Sequence, residues 1–223
     1  MDENKVCFIT CANNDEQYGE ARLYMEAQQL PDGMTAEYRV VTGAESMCAG
    51  YNAAMKSSDA KYKIYLHQDL CLVALDMVKK CVELFLGDDK LGLLGTVGCV
   101  KLPPSCIWWD AEEICGYSTY TLCPEELTQA GEDVAEKVKL VQALDGILLM
   151  TQYDIPWRED LFRGWHFYDV SQCMEFARAG LKVAVPQQGE RWCIHDTKKN
   201  WGDYEVHRAI FLKEYGAELG LEV

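Results

Sequence analysis

Three short clusters hold the side chains whose types and spacing could do chemistry. In YKIYLHQDLCLV, from Tyr62 to Val73, an alternating run ends on His67-Gln68-Asp69. A hard divalent cation takes carboxylate oxygens and keeps positions open for water or phosphate, and an imidazole suits Mn2+ and similar ions. The competing reading is that Asp69 caps a helix beginning near Leu72. In RGWHFYDVSQCMEFARAG, Arg163, His166 and Asp169 gather at a helix N-terminus. Asp169 is either an acid favoured there by the helix dipole or a general base in reach of a substrate hydroxyl. An ordinary carboxylate pKa of about 4 leaves it ionised at neutral pH. The aromatic run Trp165-His166-Phe167-Tyr168 serves equally as core or as a flat face for a sugar ring. In WCIHDTKKNWGDY, His195 ends a short apolar run, and Lys198, Lys199 and Asn200 follow as a concentrated positive spot. That spot is either a diphosphate clamp or a solvated loop.

These residues need elements to hold them. Lys5 to Cys11 reads as a strand, and Asn13-Asn14-Asp15 ends it and caps a helix through Asp15. A strand over Glu37 to Thr42, a helix over Glu45 to Lys56 and a strand over Tyr62 to His67 follow. A helix over Leu72 to Leu86 and a strand over Leu91 to Gly98 complete a β-α-β-α-β-α-β order. Such alternation predicts an α/β fold: a mostly parallel central sheet flanked by helices, Rossmann-like in its N-terminal half. Ligands in such sheets bind beyond the carboxyl ends of the strands, where Asn13, His67 and Asp69 fall. Lys101 to Leu127 reads as a long excursion with some β character. Asp145 to Thr151 is a strand, Tyr168 to Ala179 a helix, Lys182 to Val185 a strand and Asp203 to Tyr215 a helix. With no repeat or linker, residues 1–223 read as one domain.

Composition narrows the function. With 36 acidic against 21 basic residues the formal net charge is -15, which disfavours nucleic-acid binding. The 11 cysteines are scattered with no CxxC pair; buried free thiols explain them better than zinc. A thiol or zinc enzyme therefore rests on cysteine number alone. The start, MDENKVCFITC, lacks a signal-peptide pattern. No apolar run nears the roughly 20 residues that span a bilayer, so the expected compartment is the cytoplasm, with no integral membrane segment. Neither GxxxxGK[ST] nor GxGxxG is present, which counts against P-loop and dinucleotide chemistry.

The order of motifs resembles a known family. An opening strand ends in Asn13-Asn14; AGYNAAM (Ala49 to Met55), YLHQDL, LDGILLM, WHFYD, AGLKVAVP and a late His195 follow. Together these resemble the family-two glycosyltransferases with the GT-A fold, in the branch related to the StrF domain of streptomycin biosynthesis. The resemblance implies a metal-dependent inverting transferase that uses a nucleoside diphosphate sugar, most readily a UDP-sugar, and a carbohydrate or lipid-linked acceptor. Asp69 would match the last Asp of the family's Asp-x-Asp and hold Mn2+ or Mg2+, with His195 completing the site. His67 stands where the first Asp would be and would touch metal or ribose. Asn13 and Asn14 would contact the nucleobase and Asn52 would face the donor, with Lys198 and Lys199 on its diphosphate. Asp169 would deprotonate the acceptor, with Tyr168 in place of the usual Glu before it. The alternative is an inactive nucleotide- or nucleotide-sugar-binding module of the same fold.

Overall fold

The computed structural model describes residues 1–123, 126–196 and 202–221. In chain order it runs β1 (Asp2–Ala12), α1 (Asp15–Glu26), β2 (Thr35–Thr42), α2 (Met47–Lys56), β3 (Ala60–Leu66), β4 (Leu70–Leu72) and α3 (Met77–Gly87). There follow β5 (Leu91–Gly95), β6 (Val97–Cys99), β7 (Ile114–Gly116), β8 (Ser118–Cys123), β9 (Glu126–Ala130), β10 (Val138–Leu140) and β11 (Ala143–Leu144). The chain ends with β12 (Leu148–Thr151), α4 (Tyr168–Arg178), β13 (Lys182–Pro186), β14 (Cys193–His195) and α5 (Tyr204–Tyr215).

Seven strands form the main sheet in the order β10-β13-β5-β12-β3-β1-β2. The N-terminal half pairs in parallel, β1 with β2 and with β3. β12 then enters antiparallel between β3 and β5, so the sheet as a whole is mixed. Both faces are covered. One carries α1 and α3 through Ala21, Met25, Val78 and Phe85; the other carries α2, α4 and α5 through Tyr51, Cys173, Phe176 and Phe211. β3 is therefore buried on both sides from Tyr62 to Leu66, Lys63 included. The Lys63 ammonium survives there by pairing with Asp154 at 2.7 Å and donating to the Ala60 carbonyl, since a buried charge needs a partner.

The excursion after β6 builds two small sheets. β11-β6-β7 is one, and β4-β14-β8-β9 is the other. The expected helix over Leu72 to Leu86 is shorter: Leu70–Leu72 are strand, and the helix starts at Met77. The α1 cap is Asn14 rather than Asp15, with Asn14 Oδ1 accepting from the Glu16 and Gln17 amides. On the far side, Arg158 and Arg178 bind Glu175 and Glu214, and Arg178 also binds Glu218, lacing α4 to the end of α5. No helix among the described residues is long and apolar enough to cross a membrane.

Candidate active site

The backbone brings His67, Asp69 and His195 together by register. β3 ends at Leu66, and the His67 amide still donates to the Ile147 carbonyl beside β12. After that one step the chain leaves the main sheet and becomes β4. β14 pairs antiparallel with β4, placing His195 opposite Leu70, and the Asp196 amide donates to the Asp69 carbonyl. Asp69 does not cap a helix; α3 starts at Met77, eight residues later, with Asp76 in the cap position.

Three potential ligand atoms result. His195 Nε2 lies 3.1 Å from Asp69 Oδ1, His67 Nδ1 lies 3.4 Å from His195 Nε2, and His67 Nδ1 lies 3.9 Å from Asp69 Oδ1. A point equidistant from the three lies about 2.0 Å from each, close to the bond lengths of nitrogen and oxygen ligands on a small divalent cation. No other group of His, Cys, Asp and Glu among the described residues comes together in this way. Side-chain exposures of 25% for His67, 20% for Asp69 and 8% for His195 leave the triangle an open side. Protonation suits it as well. Burial, aided by His195, pushes His67 down to about 4, so the ring is neutral at pH 7. Burial is the largest single influence on Asp69 and works against its ionisation, but the His195 hydrogen bond, the neighbouring imidazoles and a backbone hydrogen bond together outweigh it and hold the carboxyl below its usual range. The residues therefore fit a divalent cation, and two imidazoles with one carboxylate suit a first-row transition ion better than Mg2+.

Asp169 lies in the first turn of α4, directly after Tyr168, whose hydroxyl is 2.7 Å from His67 Nε2. Asp169 Oδ2 accepts from the Gly146 amide at 2.9 Å. The expected ordinary pKa does not hold. Burial, reinforced by the neighbouring Asp145 carboxylate, pushes Asp169 up to about 7, and the backbone hydrogen bonds offset this only in part. Burial also raises Asp145, which accepts from Tyr120 Oη at 3.1 Å and feels His195. The approach of α4 depends on Gly146, in the LDGILLM motif. A Cβ there would lie 2.2 Å from Tyr168 Oη and 2.9 Å from Asp169 Cβ. Gly146→Ala is thus expected to displace Tyr168 and Asp169 together, costing about 1–3 kcal/mol in denaturant melts and weakening Mn2+ binding in the same sample.

The other expected residues fall differently. Asn13 and Asn14 are exposed beyond β1, at the mouth of the site, but are tied to Gln68. Gln68 Oε1 accepts from both backbone amides at 2.8 and 2.9 Å, and Gln68 Nε2 donates to Asn13 Oδ1 at 2.7 Å. The sequence assigned Gln68 no role of its own, although it sits between two expected ligands and carries both a donor and an acceptor. Asn52 does not face the site. It is 2% exposed, its Nδ2 donates to the Trp157 carbonyl, and its Oδ1 accepts from the Trp157 amide, both at 2.9 Å. Its two amide functions are thus spent on backbone. Asn52→Ala should strand both Trp157 groups and cost about 2–3 kcal/mol in a denaturant midpoint series, with cation affinity unchanged. Lys198 and Lys199 lie outside the described residues. The thiol alternative finds no support: the ten cysteines whose side chains are described are free, nine of them buried, and burial pushes Cys7, Cys11, Cys81 and Cys193 up to about 12, far from a thiolate nucleophile.

With this geometry in view, comparison with known proteins is informative. A family described as glycosyltransferase-like matches residues 7–215, nearly the full length. The chain belongs to that family. Solved structures agree on the architecture of this glycosyltransferase-like chain. The mannosyltransferase PcManGT from Pyrobaculum calidifontis, in complex with GDP-Man and Mn2+, superposes with a TM-score of 0.58 at 12% identity, over 99% of this chain and 65% of its own. S. aureus TarS 1-349 gives 0.57 at 11% identity, over 86% of this chain and 60% of its own. Its complex with UDP-GlcNAc gives 0.53 at 9% identity, over 88% and 59%. At these identities the likeness establishes the fold, that of the GT-A glycosyltransferases, and the chain spans only about three fifths to two thirds of those proteins. No curated protein matches the sequence.

Proposed function

We propose that the chain acts as one GT-A domain: a cation-dependent, inverting glycosyltransferase that moves a sugar from a nucleoside diphosphate sugar to an acceptor hydroxyl. The observation that carries this reading is the triangle of His67 Nδ1, Asp69 Oδ1 and His195 Nε2. His67, Asp69 and His195 would hold the cation, with Mn2+ preferred to Mg2+ for the reason of ligand type given above. When bound, a divalent cation supplies Lewis acidity to the departing diphosphate.

The chain's own residues would do the rest. Gln68 fixes the Asn13–Asn14 loop beside His67 and Asp69, and that loop would position a nucleoside relative to its diphosphate. Lys198 and Lys199 would add charge against the phosphates. Asp169, in its ionised form, would take the proton of the incoming hydroxyl, and attack on the sugar face opposite the leaving group would invert the anomeric centre. Tyr120 and the Gly146 amide hold Asp145 and Asp169 in place. A hollow of about 310 Å3 walled by Trp109 and Tyr204, with Asp203 and Glu205 at its edge, would receive a carbohydrate acceptor. Tyr204 there lies within electrostatic reach of Asp169. The two S. aureus TarS complexes, with UDP and with UDP-GlcNAc, support a UDP-sugar as donor. The StrF-related branch rests on the sequence motifs alone.

A second reading is a binding module with the same nucleotide site and no turnover. It is favoured by one observation, the Asp169 carboxyl at about 7, which leaves half the molecules without an ionised base at neutral pH. A thermal-shift screen of nucleoside diphosphates with and without Mn2+, followed by donor turnover, separates the cases, because a ligand of the folded state raises its melting temperature. Cation-dependent UDP stabilisation with turnover is the expected result. Stabilisation without turnover selects the module, and no stabilisation by any nucleotide removes both readings.

A further inference from the structure

Tyr168 has no part in the chemistry above, yet it touches a cation ligand. Its hydroxyl carries one hydrogen and faces two partners, the Gly146 carbonyl oxygen at 3.1 Å and His67 Nε2 at 2.7 Å. A carbonyl oxygen only accepts. No other donor to the Gly146 oxygen is seen among the described residues, and Gly146 is buried. A buried acceptor without a donor is costly, so the Tyr168 hydrogen goes to Gly146. The contact at 2.7 Å is then filled by a hydrogen on His67 Nε2 donating to the Tyr168 oxygen. A neutral imidazole carries a single ring hydrogen, so His67 Nδ1, the atom in the triangle, carries the lone pair.

The phenol itself has little freedom. Tyr168 is 3% exposed and is packed against Tyr51 and Trp157, each with its ring centroid 6.0 Å away, and those two rings are 4.9 Å apart. Its aromatic neighbours and the start of α4 thus set the position of the hydroxyl before any ligand arrives. Histidines that bind metals are commonly oriented by such a partner on the other ring nitrogen. His67 and Tyr168 are also the two positions at which the chain departs from the motifs it otherwise resembles, and they are in contact.

We infer that Tyr168 is a positioning residue that holds His67 in its Nε2–H tautomer and so presents the Nδ1 lone pair to a divalent cation. The cation half of this statement rests on the reading of the triangle as a cation site; the tautomer half does not.

The test has two arms. In the first, cation-free protein labelled with 15N-histidine is studied by long-range 1H–15N NMR at neutral pH, with His67 assigned through His67→Gln. The wild-type ring is expected to carry its hydrogen on Nε2, and Tyr168→Phe is expected to release it to a mixture of tautomers. In the second arm, Mn2+ is titrated calorimetrically. Tyr168→Phe, which removes only the hydroxyl, is expected to weaken binding about 10- to 100-fold. In a His67→Ala background the same change should alter affinity less than about twofold, because the group that Tyr168 orients is gone. A wild-type His67 with its hydrogen on Nδ1 overturns the inference, and this measurement needs no variant to fold. Equal Mn2+ affinity in wild type and Tyr168→Phe, or a full loss repeated in the His67→Ala background, overturns it while leaving the cation site standing. Absence of any divalent-ion binding by wild type overturns the cation site and the cation half together, and the NMR arm still decides the tautomer.

Discussion

Asp169→Asn is expected to lower donor transfer by about 10²- to 10⁴-fold, the usual contribution of a positioned base, with nucleotide affinity within about twofold of wild type. Asparagine keeps the carbonyl that accepts from the Gly146 amide and removes only the ionisable group. The same variant should be more stable than wild type at alkaline pH. The Asp169 carboxyl titrates at about 7 in the folded chain and at about 4 when unfolded, so folding strengthens its hold on a proton. That contribution to stability is fully present below pH about 4 and is lost as pH rises through about 7. Above it the folded state carries an ionised, half-buried carboxylate, at a cost of up to about 4 kcal/mol. Denaturant midpoints of wild type and Asp169→Asn should nearly agree at pH 4 and separate in favour of the variant at pH 8. Wild-type kcat/KM should rise with pH through the same region, since only the ionised form accepts a proton. Coincident midpoints at pH 8, or transfer that survives in the variant, would remove Asp169 from the role of base.

Mn2+ at about 100 times its dissociation constant should stabilise the wild-type chain by about 2.7 kcal/mol, a rise of roughly 5–10 °C in melting temperature for a chain of this size. Asp69→Ala and His195→Ala should each remove most of that rise and of the cation dependence of UDP binding, because two donor atoms of the triangle hold an ion far more weakly than three. Mg2+ should give a smaller rise than Mn2+, since two of the three donors are imidazole nitrogens. Chelation with EDTA should return the wild type to its cation-free melting temperature. A full Mn2+ response in Asp69→Ala would place the cation elsewhere.

Much of the N-terminal half was legible because alternation of strand and helix is a local pattern. What joins the strands was less so. β12 has four residues buried on both faces, which gives no sign of its direction, and it entered the sheet antiparallel. Tyr62, Ile64 and Leu66 suggested a one-sided strand, but β3 is interior and buries its other face too, Lys63 included. β4 and β14 have three residues each, too short to show any period, and their pairing is what joins Asp69 to His195. His67 and Asp69 stood out by residue type at a strand end and His195 by the resemblance, and these three meet in the triangle. Asn52 was assigned to the donor by resemblance through AGYNAAM, while its partner, the Trp157 backbone, lies 105 residues away. The altered acidity of Asp169 depends on Asp145 and on depth, neither of which a linear reading supplies. Tyr168 was visible only as a departure from a pattern; its contact with His67 is what gives it meaning.

The triangle spans a seam. His67 hangs from the end of the seven-stranded sheet, whereas Asp69 precedes the edge strand β4 of the four-stranded one and His195 ends its neighbour β14. A cation bound to all three would rivet two layers that the backbone joins here through little more than Gln68. Opening of the small sheet would then be coupled to loss of the ion, as one equilibrium, while the large sheet stayed closed.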